Sequence, residues 1–311
     1  MKAVVLRGTG GVWHVRDEEG RTRDVTLRGR LKQAGTLKLA VGDEVVIEPG
    51  EPEQSGRRGT AASAWTITAI GARRSALARR APGGAYGERV VVANVDQVVV
   101  VFAAAQPEPH LRMLDRFLVI AAANDIPARI VINKMDLATA GTLERFADYT
   151  RAGYEILPMS ARMGIGLDAL HELLHGRNSV LTGPSGVGKS SLLNTVYPGL
   201  NLRVGAISAS VNKGRHTTVG AFMFPLPDGG FVVDTPGLRE VGVWNLAADA
   251  LGECFVEFRP FTGQCRFRDC SHRAEPGCAV REAVAARTIS DARYESYLRL
   301  LDDLAANAPS W

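Results

Sequence analysis

The chain has 311 residues, 46% hydrophobic and 23% charged, a balance that excludes a low-complexity or disordered polymer and leaves room for two or three cores. Its longest apolar run, Val98 to Ala105, spans 8 residues between Gln97 and Gln106, too short for a bilayer, and the N-terminus has no secretory h-region. A soluble chain in a reducing cytoplasm is expected, its four cysteines too few and too clustered for a disulfide framework. The net charge of +4 is unevenly spread: residues 1–89 carry 16 Lys+Arg against 10 Asp+Glu, and the remainder 21 against 23. That basic bias points to a polyanion such as nucleic acid, with a solvated basic face as the plainer alternative.

Five β-branched stretches come first: Ala3–Leu6, Gly11–Val15, Asp24–Leu27, Asp43–Ile47 and Ala64–Ile70. With turn residues between them they predict a small barrel of the OB type over residues 1–72. Gly50–Gly59 reads as a polar loop between barrel strands, and the basic, glycine-rich Arg73–Arg89 as a linker. From Val90 the pattern changes to alternating strand and helix. Val90–Phe102 is one long strand or a strand pair, and Leu111, Leu114, Leu118 and Ala121 recur at helical spacing. Ala128–Ile132 is a buried strand, Thr142 is placed to cap a helix running to about Arg151, and Tyr154–Pro158 is a short strand. A parallel sheet covered on both faces is expected over residues 73–245.

Two motifs in this region carry chemistry. Gly183-Pro184-Ser185-Gly186-Val187-Gly188-Lys189-Ser190, extended by Ser191, follows an apolar strand and opens a helix, which is the setting a phosphate loop requires. Its amides would cradle phosphates, Lys189 would reach the β- and γ-phosphates as a catalytic cation, and the Ser190 hydroxyl would coordinate Mg²⁺. Asn133-Lys134-Met135-Asp136 leaves the strand Ala128–Ile132; the Asp136 carboxylate suits guanine N1–H and its exocyclic amine, and Ser160-Ala161 would support the base through a main-chain amide. A P-loop ATPase conflicts with Asp136. The base reader precedes the phosphate loop, the reverse of the ordinary order, so the domain reads as circularly permuted, an arrangement that close-lying termini permit.

Asp234-Thr235-Pro236-Gly237 follows the strand Phe231–Val233 and lies 51 positions after Gly183. Asp234 would hold Mg²⁺, and the Gly237 amide would sense the γ-phosphate. Thr217 and Thr218 are both candidates to close on the metal. Leu238 stands where a glutamine could orient water, so His216 becomes the candidate for that task, against the simpler reading of an exposed loop histidine.

The C-terminal region, 246–311, contains Cys265, Cys270, His272 and Cys278, three thiols and an imidazole within 14 residues, which suit a closed structural Zn²⁺ site. Phe255, Phe258, Phe261 and Phe267 read as core, Cys254 as buried packing, and Ser290 as the cap of a helix with Tyr294, Tyr297, Leu298, Leu301 and Leu304 on one face.

These motifs in this order, with Gly214-Arg215-His216-Thr217-Thr218 and Ala93-Asn94-Val95-Asp96-Gln97, resemble the ribosome small subunit-dependent GTPase A (RsgA) family over nearly the whole chain. The resemblance implies a multidomain α/β protein: an OB-type barrel, a circularly permuted P-loop GTPase domain and a helical zinc-binding domain. It also implies a monomer that hydrolyses GTP to GDP in the cytoplasm, faster on the small ribosomal subunit, whose late assembly it serves. The barrel and zinc domain would then contact ribosomal RNA. Val219-Gly220 after the paired threonines departs from the expected hydroxyl, which leaves the choice between Thr217 and Thr218 open. A nucleotide-gated RNA-binding module with incidental turnover is the rival reading.

Overall fold

The computed structural model describes residues 1–9, 11–28, 38–50, 65–80, 88–202, 221–234 and 246–306. The polar loop expected at Gly50–Gly59 lies outside them from residue 51 onward. Strands β1 (Lys2–Thr9), β2 (Val12–Asp17), β3 (Thr22–Leu27), β4 (Glu44–Pro49) and β5 (Trp65–Ile70) form a closed barrel in the order β1-β2-β3-β5-β4. Alternation drives the closure: Ala3, Val5, Val15, Val25, Val45, Ile47 and Ile67 point inward and form one buried cluster. The register slips between Val5 and Arg7, a bulge that bends β1 against β2. Asp17, buried at the end of β2, accepts from the Arg21 amide at 2.8 Å and Arg23 Nε at 2.6 Å, which fixes the β2–β3 turn.

Within the segment expected as a linker, the described residues include an antiparallel pair, β6 (Ala76–Arg80) with β7 (Glu88–Ala93). The Ala93 amide donates to the Val41 carbonyl at 2.8 Å, so β7 is tied to the residues before β4. Gly42 (φ +85°) lies so close to the Ala93 carbonyl that a Cβ there would overlap it. The apolar run Val90–Phe102 is a strand pair, broken where Asn94 turns left-handed at φ 56°. Asn94 supplies the missing ladder partners itself: Nδ2 donates to the Gly42 carbonyl at 2.9 Å, and Oδ1 accepts from the Arg74 amide at 2.9 Å.

The remaining strands are β8 (Gln97–Ala103), β9 (Ala128–Asn133), β10 (Ile156–Pro158), β11 (Asn178–Thr182), β12 (Phe222–Pro225) and β13 (Phe231–Asp234), in the sheet order β10-β9-β8-β11-β13-β12. Every residue of β8 is buried, as a central parallel strand requires. Helices α1 (Leu111–Ala122), α2 (Ala147–Arg151), α3 (Leu167–Leu174) and α4 (Lys189–Val196) intervene, and α5 (Ala279–Ala285) and α6 (Asp291–Ala306) follow the cysteines. Thr142 does not cap α2. Its hydroxyl accepts from the Thr139 amide at 2.9 Å, and a 3₁₀ turn over Glu144–Phe146 precedes the short helix. The chain divides into two compact units, Met1–Asp96 with Leu174–Val180 and Ser208–Gly237, and Gln97–Leu173 with Leu181–Ile207 and Leu238–Trp311.

Helix α1 is buried on two faces. Leu114, Leu118 and Ala121 are buried as the periodicity predicts, and Val119 enters a second core with Leu251, Cys254, Phe255, Phe258, Tyr297, Leu300, Leu301 and Leu304. Phe261 packs against that core, whereas Phe267 is 42% exposed, contrary to its reading as core. Phe267 lies in the four-residue loop between Cys265 and Cys270, and only the cysteines at its ends, not the ring, pack against the core. Ser290 caps α6 as expected, its hydroxyl accepting from the Arg293 amide at 3.5 Å and bonding to Asp148.

Candidate functional site

The strand β11 delivers the chain into Gly183–Gly188, and α4 begins at Lys189. Three glycines make the turn possible, at φ 136° (Gly183), 79° (Gly186) and 94° (Gly188). At Gly183 a Cβ would overlap the Val101 carbonyl oxygen of β8, and at Gly188 it would overlap Asn133 Nδ2. Lys189, 4% exposed, donates from Nζ to the carbonyls of Gly183 and Pro184, each at 2.8 Å, so the ammonium sits under its own loop. Ser190 is 6% exposed, and Ser185 and Gly186 are exposed at the loop's tip.

The tetrapeptide Asn133 to Asp136, expected to read the base, is bolted to this loop. Asn133, at the end of β9 and 2% exposed, donates from Nδ2 to the Val187 carbonyl at 2.9 Å and accepts on Oδ1 from the Ala161 amide at 3.2 Å. One side chain thereby joins three segments far apart in sequence. Lys134 takes a left-handed conformation (φ 62°) and its Nζ donates to the Gln106 carbonyl. The Met135 amide donates to the Met159 carbonyl at 3.0 Å. Ser160, fully buried, donates from Oγ to Asp136 Oδ1 at 2.6 Å while accepting from the Met163 amide at 3.1 Å. This orients a carboxylate whose side chain is 14% exposed, with Arg162 4.0 Å from its other oxygen. The spacing of the motifs identified their members; the joining role of Asn133 and the part of Gln106 carry no signal in the sequence.

Asp234, 6% exposed, ends β13, the strand next to β11 in the sheet, and pairs in register with Phe222. His216, Thr217, Thr218 and Gly237 lie outside the described residues.

The four sulfur and nitrogen atoms expected to bind metal converge: those of Cys265, Cys270, His272 and Cys278 all lie within 4.8 Å of one another. His272 presents Nδ1, 3.5 Å from Cys265 Sγ and 3.4 Å from Cys278 Sγ, and the two sulfurs are 4.0 Å apart. A tetrahedron with metal–sulfur bonds of about 2.3 Å has edges of about 3.8 Å, so the donor set and its spacing fit Zn²⁺. Burial pushes the His272 imidazole below its usual pKa, which keeps it in the neutral form that a metal needs. Carbonyls beside the ligands are held from α6: Tyr294 donates to that of His272 and Tyr297 to that of Ser271, both at 2.7 Å. Glu275 accepts from the Ser271 hydroxyl at 2.6 Å and from the amides of Ser271 and Arg273 at 2.8 and 2.9 Å. The Ser271 hydroxyl above all, against the opposing effect of burial and with help from the backbone amides of Glu275, Ser271 and Ala274, lowers the pKa of the Glu275 carboxyl to about 2.

A glycine-rich loop following β11, joined through Asn133 to the Asn-Lys-Met-Asp tetrapeptide that follows β9 earlier in the chain, gives the order of a circularly permuted P-loop GTPase. The chain belongs to the RsgA GTPase family, whose model matches residues 70–244. It is 58% identical over 304 residues to the small ribosomal subunit biogenesis GTPase RsgA of Gemmatimonas aurantiaca, covering 97% of this chain and 96% of that protein. The protein of the same description from Moorella thermoacetica is 42% identical over 314 residues, with both chains fully covered. Among solved structures, YjeQ from Thermotoga maritima matches with a TM-score of 0.78 at 34% identity over 98% of each chain. YloQ, described as a circularly permuted GTPase, matches with a TM-score of 0.73 at 28% identity, over 100% of this chain and 96% of that one.

Proposed function

We propose that this chain binds GTP and GDP, hydrolyses GTP, and acts in late maturation of the small ribosomal subunit, with hydrolysis stimulated by the subunit and coupled to release from it. The observation that carries this reading is the Asn133 lock, which makes a guanine reader and a phosphate loop one site although 50 positions separate Asn133 from Gly183. The relatives described as small ribosomal subunit biogenesis GTPases supply the setting.

In this reading the loop Gly183 to Ser191 encloses the phosphates through its backbone N–H groups, those of Ser185, Gly186, Val187 and Gly188 included, while Pro184, which has no N–H, only shapes the turn. Lys189 exchanges its loop carbonyls for phosphate oxygens. Ser160 holds Asp136 so that its remaining lone pairs meet guanine N1–H and the exocyclic amine, a pair of donors that adenine lacks. Lys134 and Met135 flank the base, and Ala161, whose amide is committed to Asn133, fixes the loop behind it. Ser190, Asp234 and a threonine, Thr217 or Thr218, suit Mg²⁺, a hard cation that takes hydroxyl and carboxylate oxygens and neutralises charge on the phosphates. Gly237 would sense the γ-phosphate. Zn²⁺ in the Cys265, Cys270, His272 and Cys278 cage is structural, because four protein donors leave no place for water.

The barrel (1–72) and the zinc-binding region (246–311) are the contacts to ribosomal RNA on a monomeric, cytoplasmic protein, flanking the GTPase region (73–245). The basic surplus of residues 1–89 supports the first. No helix among the described residues is long and apolar enough to cross a membrane.

Steady-state GTP hydrolysis measured with and without purified small subunits tests the proposal. A large increase is expected, whereas unchanged turnover with tight GTP-dependent binding would leave a nucleotide-gated RNA-binding module in its place. Since Leu238 cannot hold water by hydrogen bonding, His216 is assigned that role. His216→Ala should slow single-turnover hydrolysis by about 10- to 100-fold while nucleotide affinity is kept; equal rates would discard the assignment.

A further inference from the structure

Phe267 is the one phenylalanine, tyrosine or tryptophan among the described residues that is exposed, at 42%. It occupies the tip of the loop between Cys265 and Cys270, flanked by Arg266 and Arg268, both exposed. Neither guanidinium has an acidic partner among the described residues, while the neighbouring Arg273 is engaged with Asp302. The loop is rigidly based: the Arg266 amide donates to the Gly277 carbonyl at 2.9 Å, and Gly277 (φ +68°) brings the two backbones close. Arg266 extends along the phenyl ring, its guanidinium carbon 5.5 Å from the centroid. Between residues 259 and 281 there are five arginines and two acidic residues, so the surroundings are positive.

An exposed phenyl ring that contributes to no core, held on a metal-based loop between two unpaired cations, is suited to one ligand chemistry in particular. We propose that Arg266-Phe267-Arg268 is a stacking tip for an unpaired RNA base, Phe267 taking the face of the base and the arginines the adjoining phosphates. The inference deepens the reading of the chain as a partner of the small subunit and rests on it for the RNA's identity. A protein socket would also accept an apolar side chain, but it gains nothing from two flanking cations that lack acidic partners, whereas a nucleotide satisfies ring and charge together. The ring's sequence tolerance makes the tip a grip, with selection left to shape and to single-strandedness.

The test uses the full zinc-loaded chain with GTP, a fluorescent single-stranded oligoribonucleotide of about 12 nucleotides, and purified small subunits. Phe267→Ala should weaken binding to both by about 5- to 100-fold, Phe267→Trp should retain it, and Phe267→Leu should fail to rescue. Zinc content and hydrolysis without subunits, which the tip does not touch, should match the parent chain and show that the variants fold. Unchanged binding by Phe267→Ala overturns the proposal, as does full rescue by Phe267→Leu, which would mark an apolar protein socket. If the oligonucleotide responds as expected but subunits neither bind nor stimulate hydrolysis, the stacking tip stands and the ribosomal reading falls.

Discussion

Asn133 shows how one amide can carry a site. It satisfies a carbonyl of the Gly183–Gly188 loop and an amide of the Ser160 loop, the first at a buried residue and the second at a half-buried one. Removing it leaves the buried Val187 carbonyl without its partner, at about 1–3 kcal/mol, and releases the Ala161 amide as well. Asn133→Ala is therefore expected to weaken GDP and GTP binding alike by tenfold or more, read by fluorescent-nucleotide titration, while thermal melting shows a cooperative fold. Asn133→Asp would keep the acceptor for Ala161 but place a carboxylate against the Val187 carbonyl, so it should not rescue. The sequence motif names Asn133 as a member of a base reader, but its work as a bolt depends on where β9 and the loop after β11 end, which no local pattern encodes.

At the scale of elements, α1 and α6 are joined by a buried charge network. Arg293 of α6, 3% exposed, pairs with Asp115 of α1 and, at 2.6 Å, with Glu257. Its guanidinium also faces the rings of Phe255 at 4.7 Å and Tyr149 at 5.1 Å, and the Tyr149 hydroxyl donates to Asp115 at 2.7 Å. Burial pulls against the charge of Arg293, yet Glu257 and Asp115 more than offset it and raise its pKa. Arg293→Met leaves two buried carboxylates uncompensated and should cost about 3–5 kcal/mol in denaturant unfolding of the zinc-loaded chain, with the loss largely recovered when Asp115 and Glu257 are made apolar as well. A charged residue every few positions on an amphipathic helix reads as solvated face, so this clamp was not legible. The helices themselves were, because Leu114, Leu118, Leu301 and Leu304 keep the helical period. Strand β6 was missed for the opposite reason: Ala76–Arg80 lacks the β-branched pattern and gains its conformation from pairing with β7.

For the whole molecule, the two units are threaded by the chain several times, so neither is a simple N- or C-terminal half. The hydrogen bonds that join Asn133, Val187 and Ala161 lie within one unit, and the barrel within the other. A chain lacking residues 1–72 should consequently bind GDP within about twofold of the parent, since effects at separate places add, but should lose subunit-stimulated hydrolysis. It should also be less stable, because Asn94 then lacks its Gly42 acceptor and β7 its bond to Val41. Isothermal titration, turnover with small subunits and thermal melting check the three statements. The barrel, the sheet and the motif order were all readable from alternation, apolar runs and glycine placement, which are local signals; the interleaving of the units arises from contacts distant in sequence and was not.

The position of β8 between β9 and β11 has a further consequence for biogenesis of the chain itself. Synthesis proceeds from β8 to β9 and β10, which complete one flank, but β11, which covers the other edge of β8, emerges only about 75 residues after β8 ends. Until then a strand apolar at every position but Gln97 presents an open row of amides and carbonyls, an arrangement prone to pair with a stranger. The permutation that brings the base reader out first thus obliges the nascent protein to wait, half-sheeted, for its phosphate loop. An assembly factor of this order is itself a slow assembly, and its yield in the cell should depend on holdase chaperones more than that of a chain whose central strand is flanked as soon as it is made.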